Sequence, residues 1–161
     1  MATLFISDLH LDPSRPAITA LFLDFLQGEA AQAEALYVLG DLFEAWVGDD
    51  DDSELALQVC AGLRALRESG VPVFLMRGNR DFLLGHVFAE RTGAQLLADP
   101  CVITLCGQPT LLMHGDLLCS DDLAYLAFRQ QVREPAWRED FLVQSLGQRR
   151  AFAGQARQAS Q

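Results

Sequence analysis

Four short runs hold the residues able to do chemistry. Ser7-Asp8-Leu9-His10, Gly40-Asp41, Gly78-Asn79-Arg80-Asp81 and His114-Gly115-Asp116 occur in that order. Each follows an apolar run, and successive runs stand roughly 35 residues apart, about the length of one strand–helix–strand unit. Asp8 and His10 are two apart, so an extended backbone would aim both the same way. A carboxylate and an imidazole can then grip one cation. Asp41 has two oxygens with which to bridge two ions, Asn79 offers a carbonyl oxygen and His114 a second nitrogen. A set of oxygens and imidazoles suits Mn2+ or Fe2+ better than Mg2+, and the lack of thiolates argues against structural zinc. Two ions roughly 3.5–4 Å apart can clamp a phosphoryl group and activate water for in-line attack. Taken singly, Gly-Asp or Gly-Asn after a strand is an ordinary turn. The ordered conjunction carries the inference, because two of the three histidines fall within it. His86 stands apart, without acidic company, and reads as a surface or core residue.

The elements that must position these residues follow from the apolar pattern. Thr3–Ile6, Ala35–Leu39, Pro72–Met76, Val102–Leu105 and Thr110–Met113 read as buried strands. Residues 17–33, 53–69 and 81–92 read as helices between them, with Asp51-x-x-Glu54 resembling a capping box ahead of the second. This alternation implies an α/β architecture with a largely parallel sheet, whose strand ends converge on one crevice. Gln95–Leu112 differs: its two apolar runs flank Cys106-Gly107-Gln108-Pro109 and predict a β-hairpin. Residues 122–133 and 137–159 look helical, punctuated by Glu134-Pro135, with Asp121 or Asp122 as a cap.

Composition narrows the function classes. Half of the 161 residues are apolar, enough for one domain with a core. No run nears the roughly 18 apolar residues of a spanning helix, and Met1–Asp12 does not read as a signal peptide. There are 22 acidic residues against 12 basic ones, all arginine, for a net charge of −10. Arg15 is the only basic residue among the first 60, which disfavours a nucleic-acid partner and suits divalent cations. From Leu126 onward the balance reverses, with Arg129, Arg133, Arg138, Arg149, Arg150 and Arg157 in an amphipathic stretch suited to an anionic ligand or lipid surface. Cys60, Cys101, Cys106 and Cys119 form no C-x-x-C pair and read as free thiols of a reducing compartment.

In this order the motifs resemble those of the calcineurin-like metallophosphoesterases. That superfamily usually carries Gly-Asn-His and then an acid at the third motif, where this chain has Gly78-Asn79-Arg80-Asp81. The arginine, with Leu42-Phe43-Glu44-Ala45-Trp46-Val47-Gly48-Asp49-Asp50, Leu75–Leu83 and Leu112–Asp116, resembles the family of UDP-2,3-diacylglucosamine pyrophosphohydrolases of lipid A biosynthesis. The likeness runs to about Tyr125 and more loosely to Ser160. It implies a sandwich of mixed sheets flanked by helices, of which residues 1–161 are the N-terminal two-thirds, with 122–161 a helical cap insertion. It also implies metal-dependent hydrolysis of UDP-2,3-diacylglucosamine to UMP and 2,3-diacylglucosamine 1-phosphate. Two divalent ions, Mn2+ foremost, would sit on Asp8, His10, Asp41, Asn79 and His114, which carry the catalysis. Asn79, Arg80, Asp122 and Ser160 would contact the substrate.

On this resemblance the protein is cytoplasmic and peripheral on the inner face of the inner membrane, with no nucleic-acid or obligate protein partner. The family closes its site with Gly-His-x-His, which is absent here, so the expectation is a truncated chain, inactive for want of two histidine ligands. The alternatives are a metallophosphoesterase acting on another nucleotide diphosphate or phosphodiester, and a catalytically dead metal- or nucleotide-binding fragment. Arg80 offers a planar, permanently charged fork that can hold a diphosphate; paired with Asp81 or Glu44 it would be an ordinary surface arginine. Asp49–Asp52 reads as a solvated loop and helix start rather than a further metal site, and Trp46 as a core or loop anchor rather than a platform for uracil. The stripe Trp137, Phe141, Leu142, Leu146 and Phe152 either receives acyl chains or packs on the domain.

Overall fold

A computed structural model of the chain describes residues 1–159. Its centre is a four-stranded parallel sheet in the order β1 (Thr3–Ile6), β2 (Ala35–Leu39), β3 (Val73–Met76) and β4 (Gln95–Leu97). The connections are α1 (Pro16–Gln27), α2 (Glu54–Glu68) and α3 (His86–Thr92). Because each strand joins on the same side of its predecessor, right-handed crossovers stack all three helices on one face. Leu36, Val38, Val73 and Leu75 point into that layer and are buried with Phe22, Leu26, Val59, Leu63 and Phe88. Alternation sends the intervening residues to the other face. There Phe5, Tyr37 and Phe74 are register partners whose rings stack at 5.0 and 4.5 Å.

The chain then makes an antiparallel hairpin of β5 (Cys101–Leu105) and β6 (Gln108–Leu112). Three helices follow: α4 (Leu123–Arg133), α5 (Pro135–Leu142) and α6 (Leu146–Ala159). Phe82 makes ring contacts with Phe128 and Trp137, and Trp137, Phe141 and Phe152 pack on one another. Much of the predicted apolar stripe thus packs on the body of the protein, with Phe141 in the core and Leu142 38% exposed. No helix among the described residues is long and apolar enough to cross a membrane.

Several boundaries differ from the sequence reading, each for a local reason. Gln95–Leu97 is not a hairpin arm; it pairs in parallel with Phe74–Met76 at the sheet edge. The hairpin turn is only Cys106-Gly107, both at positive φ (49° and 78°) as a two-residue turn of the primed type requires. Pro109 therefore lies within β6, opposite Thr104. Residues 81–85 are not helical, because Asp81 is used to bind backbone elsewhere. The cap of α2 is Ser53, whose Oγ accepts from Ala56 N at 3.2 Å, while Asp51 accepts from Ser53 N. The last predicted helix breaks at Ser145. Its Oγ accepts from Gln148 N, and Gln148 Oε1 accepts from Ser145 N at 3.0 Å, a reciprocal capping box.

Candidate active site

The loops after β1, β2, β3 and β6 meet at one end of the sheet. The first two continue side by side past their strands: Asp8 N donates to Gly40 O, His10 N to Asp41 O and Leu11 N to Leu42 O, at 3.0, 3.0 and 2.9 Å. Asp8, His10 and Asp41 all adopt positive φ (57°, 48° and 53°). The backbone is thus left-handed there rather than extended as predicted, and the two side chains converge by turning. Non-glycine residues pay roughly 1–2 kcal/mol each for this conformation, which the cross-loop hydrogen bonds hold in place. Two glycines permit the close approach. A Cβ on Gly40 would stand 2.5 Å from His114 Nδ1, and one on Gly78 would stand 2.0 Å from Asp41 Oδ1.

Asp41 sits at the centre, 3% exposed. Its Oδ1 accepts from Arg80 N at 2.8 Å. Its Oδ2 faces both imidazoles, 3.5 Å from His10 Nε2 and 3.7 Å from His114 Nε2. Both imidazoles thus face the same carboxylate oxygen, with the other oxygen engaged by the Arg80 amide. Asp8 Oδ1 lies 3.8 Å from His10 Nε2 on the open side. Asp8, His10 and Asp41 each offer a ligand atom within 4.8 Å of the others, a group able to hold a metal ion. Burial raises the Asp41 carboxyl above its ordinary value, against the Arg80 amide and the two imidazoles, while Asp8 raises it further.

His114 points the same way. Its Nδ1 lies 2.8 Å from Leu39 O, which only accepts, so Nδ1 carries the proton and the lone pair of the neutral ring is on Nε2. That nitrogen faces Asn79 Oδ1 at 2.9 Å. Two electron-rich atoms so placed, with Asp41 Oδ2 beside them, fit a divalent cation, and the fixed tautomer is the usual outer-shell support for a metal-binding histidine. All five predicted residues, Asp8, His10, Asp41, Asn79 and His114, are brought together.

Two residues expected only as possible partners of Arg80 build the site from behind. Asp81 is fully buried, and its carboxylate accepts from Gly78 N, Asp41 N, Leu42 N and Phe43 N at 2.8, 3.2, 2.8 and 3.4 Å. It fastens the Asp41 loop to the Asn79 loop. Burial pushes its carboxyl up to about 6, against the pull of the Gly78 amide, with Asp41 adding to the rise. Glu44 Oε2 lies 2.8 Å from His10 Nδ1, close but outside hydrogen-bond alignment. Its other oxygen is 4.0 Å from Arg80 Nη1. The acid after Asn79 was visible in the motif, and a carboxylate three residues beyond Asp41 was visible in its loop.

The remaining expectations divide. Arg80 is 31% exposed and only loosely near Glu44, with Asp81 fully engaged elsewhere, so its guanidinium is available at the rim. Asp122 is the α4 cap, accepting from Tyr125 N at 2.9 Å. Ser160 lies outside the described residues. Trp46 is buried and donates to Asp49 Oδ1, as expected of an anchor. Asp49–Asp52 is not simply solvated, because it ties helices down. Asp49 accepts from Gly85 N and Phe88 N at the start of α3, and Asp50 takes a two-pronged pair from the buried Arg149 at 2.9 and 2.6 Å. Arg150 pairs with Asp51, and Arg129 with Asp99 and Asp116. Three arginines of the basic stretch, Arg129, Arg149 and Arg150, are therefore matched by carboxylates of the body. All four cysteines are free.

The model of a family described as calcineurin-like phosphoesterase matches residues 1–153. Among curated relatives, a UDP-2,3-diacylglucosamine hydrolase of Xanthomonas campestris pv. campestris (strain B100) is 63% identical over 160 residues, covering 99% of this chain and 65% of the relative. Proteins of the same name from Xanthomonas oryzae pv. oryzae (strain PXO99A) and Stenotrophomonas maltophilia (strain K279a) are 62% and 61% identical over 161 residues, covering 100% of this chain and 65% of each relative. The chain thus spans 65% of the length of these relatives. A crystal structure of a protein of unknown function from Aquifex aeolicus has a TM-score of 0.49 and 19% identity, covering 86% of this chain and 69% of that one.

Proposed function

The chain belongs to the calcineurin-like phosphoesterase family, and from that premise we propose that it carries most of the active site of a UDP-2,3-diacylglucosamine pyrophosphohydrolase. The reaction would split the diphosphate to give UMP and 2,3-diacylglucosamine 1-phosphate in lipid A biosynthesis. The observation that carries this reading is the convergence of Asp8, His10, Asn79 and His114 on the buried Asp41. The curated relatives' name supports the choice of substrate.

Asp8, His10 and Asp41 would hold one divalent ion, and Asp41, Asn79 and His114 a second, Mn2+ being the first choice for both. Such a pair supplies charge neutralisation at the phosphoryl oxygens and lowers the pKa of water to a useful range. The protein's own part is positional. Asp41, pinned by the Arg80 amide, fixes the separation of the two half-sites. The side chain of Arg80 offers two parallel donors to the diphosphate as charge develops in the transition state. Asn79 and Asp122 would contact the substrate, and on the resemblance Ser160 would as well. Helices α4–α6 form a cap whose contacts with Phe82 bring its apolar side next to the site. The two acyl chains of the substrate would bring the enzyme to the inner face of the inner membrane as a peripheral protein.

Release of UMP tests this, using the chain joined to the part of the Xanthomonas campestris relative that lies outside the match. Mn2+-dependent release from UDP-2,3-diacylglucosamine, well above that from simple nucleotide diphosphates, is expected. Equal rates across substrates would favour a generic phosphoesterase, and no metal-dependent release would end the proposal. Residues 1–161 alone should bind Mn2+ and show no turnover above background.

A further inference from the structure

We propose that α4 is the positioning element of one half-site only: through Arg129 and Arg133 it sets His114 against Asn79, and so governs cation affinity there and not at Asp8 and His10. This rests on the two-ion reading above. Arg129 reaches from α4 to two carboxylates, Nε to Asp116 Oδ2 at 2.7 Å and a terminal nitrogen to Asp99 Oδ2 at 2.8 Å. Both flank His114. Asp99 Oδ1 accepts from the His114 backbone N at 3.1 Å, and Asp116 lies two residues further on, also bonded by the Tyr125 hydroxyl. One turn along the helix, Arg133 donates to the carbonyl of Gly78, the residue before Asn79, at 3.1 Å. Two guanidiniums on one helix face thus hold the backbones of the two residues that meet at 2.9 Å.

These contacts are buried, Asp99 being 1% and Arg129 13% exposed, so they are not screened as surface pairs are. Among the described residues, no hydrogen bond or ion pair runs from α4 to Asp8 or His10, which hang on the Gly40–Leu42 backbone and Glu44. Helix α6 supplies the contrast. Its Arg149 fastens it to Val47 and Asp50, away from both half-sites.

The test is a double-mutant cycle read by Mn2+ titration of the chain, with Arg149→Gln as a control for loosening the helical segment. In a His10→Ala background, where the Asn79–His114 half-site remains, Arg129→Gln should weaken Mn2+ binding by roughly 10–100-fold, as loss of outer-shell support does. In a His114→Ala background it should change nothing, and Arg149→Gln should leave both affinities intact. Equal effects of Arg129→Gln in the two backgrounds, or none in either, would overturn the inference. Should Arg129→Gln not fold by circular dichroism, Arg129→Lys, which keeps the charge but not the fork, must show the same background-specific loss in smaller measure. Should the parent bind fewer than two ions, the two-ion reading fails by itself. Amide exchange then decides: faster exchange at His114 in Arg129→Gln but not in Arg149→Gln supports the positional role, and unchanged exchange removes it.

Discussion

Asp41 and Asp81 bracket each other: Asp41 N donates to Asp81 Oδ1 at 3.2 Å, while Asp41 Oδ1 accepts from the N–H of Arg80, Asp81's neighbour, at 2.8 Å. Two buried carboxylates share one small region: burial raises both, and Asp41 adds to the rise at Asp81. Asp81→Asn keeps the shape but turns an NH2 group towards backbone N–H donors. A loss of about 1–3 kcal/mol is expected from unsatisfied buried donors, measured by urea unfolding of the metal-free chain, together with weaker Mn2+ binding.

Asp41→Ala should lower Mn2+ binding more than Asp8→Ala or His114→Ala, because its Oδ2 faces both imidazoles. Calorimetric titration that returned equal losses for the three variants would argue for a single mononuclear site.

Glu44→Ala removes the carboxylate beside His10 Nδ1. A decrease of roughly 10–100-fold in Mn2+ affinity is expected at the Asp8–His10 half-site. Read in the His114→Ala background, an unchanged affinity would show that the ring needs no such support.

Acid should release α6 from the loop it is fastened to. The Arg149 hydrogen bonds hold the Asp50 carboxyl below its ordinary value. A depressed carboxyl stabilises the fold above its unfolded pKa, and that contribution fades as pH falls through the lower folded value. Trp137 and Phe152 are in ring contact across the segment, so Trp fluorescence should change below about pH 4. Asp50→Asn should remove that step.

Binding to anionic vesicles should depend only shallowly on salt. Arg129, Arg149 and Arg150 already face carboxylates of the body, and Arg133 faces backbone carbonyls. A steep loss of binding with salt would show that the basic stretch is free to meet lipid.

The five site residues were legible because strand-end turns repeat at a regular interval, and the spacing of strands is set by helix length. What the sequence hid was conformation and reciprocity. Nothing in Asp8-Leu9-His10 announces a left-handed backbone, since only hydrogen bonds to the Gly40–Leu42 stretch, remote in sequence, hold it. Asp81 looked like one acid in a motif, yet its effect comes from four amides on two loops. The Asp50 and Asp51 carboxylates read as solvated because their partners, Arg149 and Arg150, stand 99 residues away. The break before α6 was present as Ser145-x-x-Gln148, a pattern masked by the helical periodicity on either side.

The strand order also has a temporal side. Because β1, β2, β3 and β4 pair strictly in the order in which they are synthesised, each new strand finds its neighbour already formed. A chain emerging N-terminus first, at about 5–20 residues per second, can add to the sheet without waiting for distant segments. Asp8, His10 and Asp41 are together once β2 has docked on β1. Asn79 is delivered with β3, and His114 comes last, after the hairpin. Asp8, His10 and Asp41 are thus synthesised ahead of Asn79 and His114, although the Asp41 loop gains its Arg80 and Asp81 contacts only with β3.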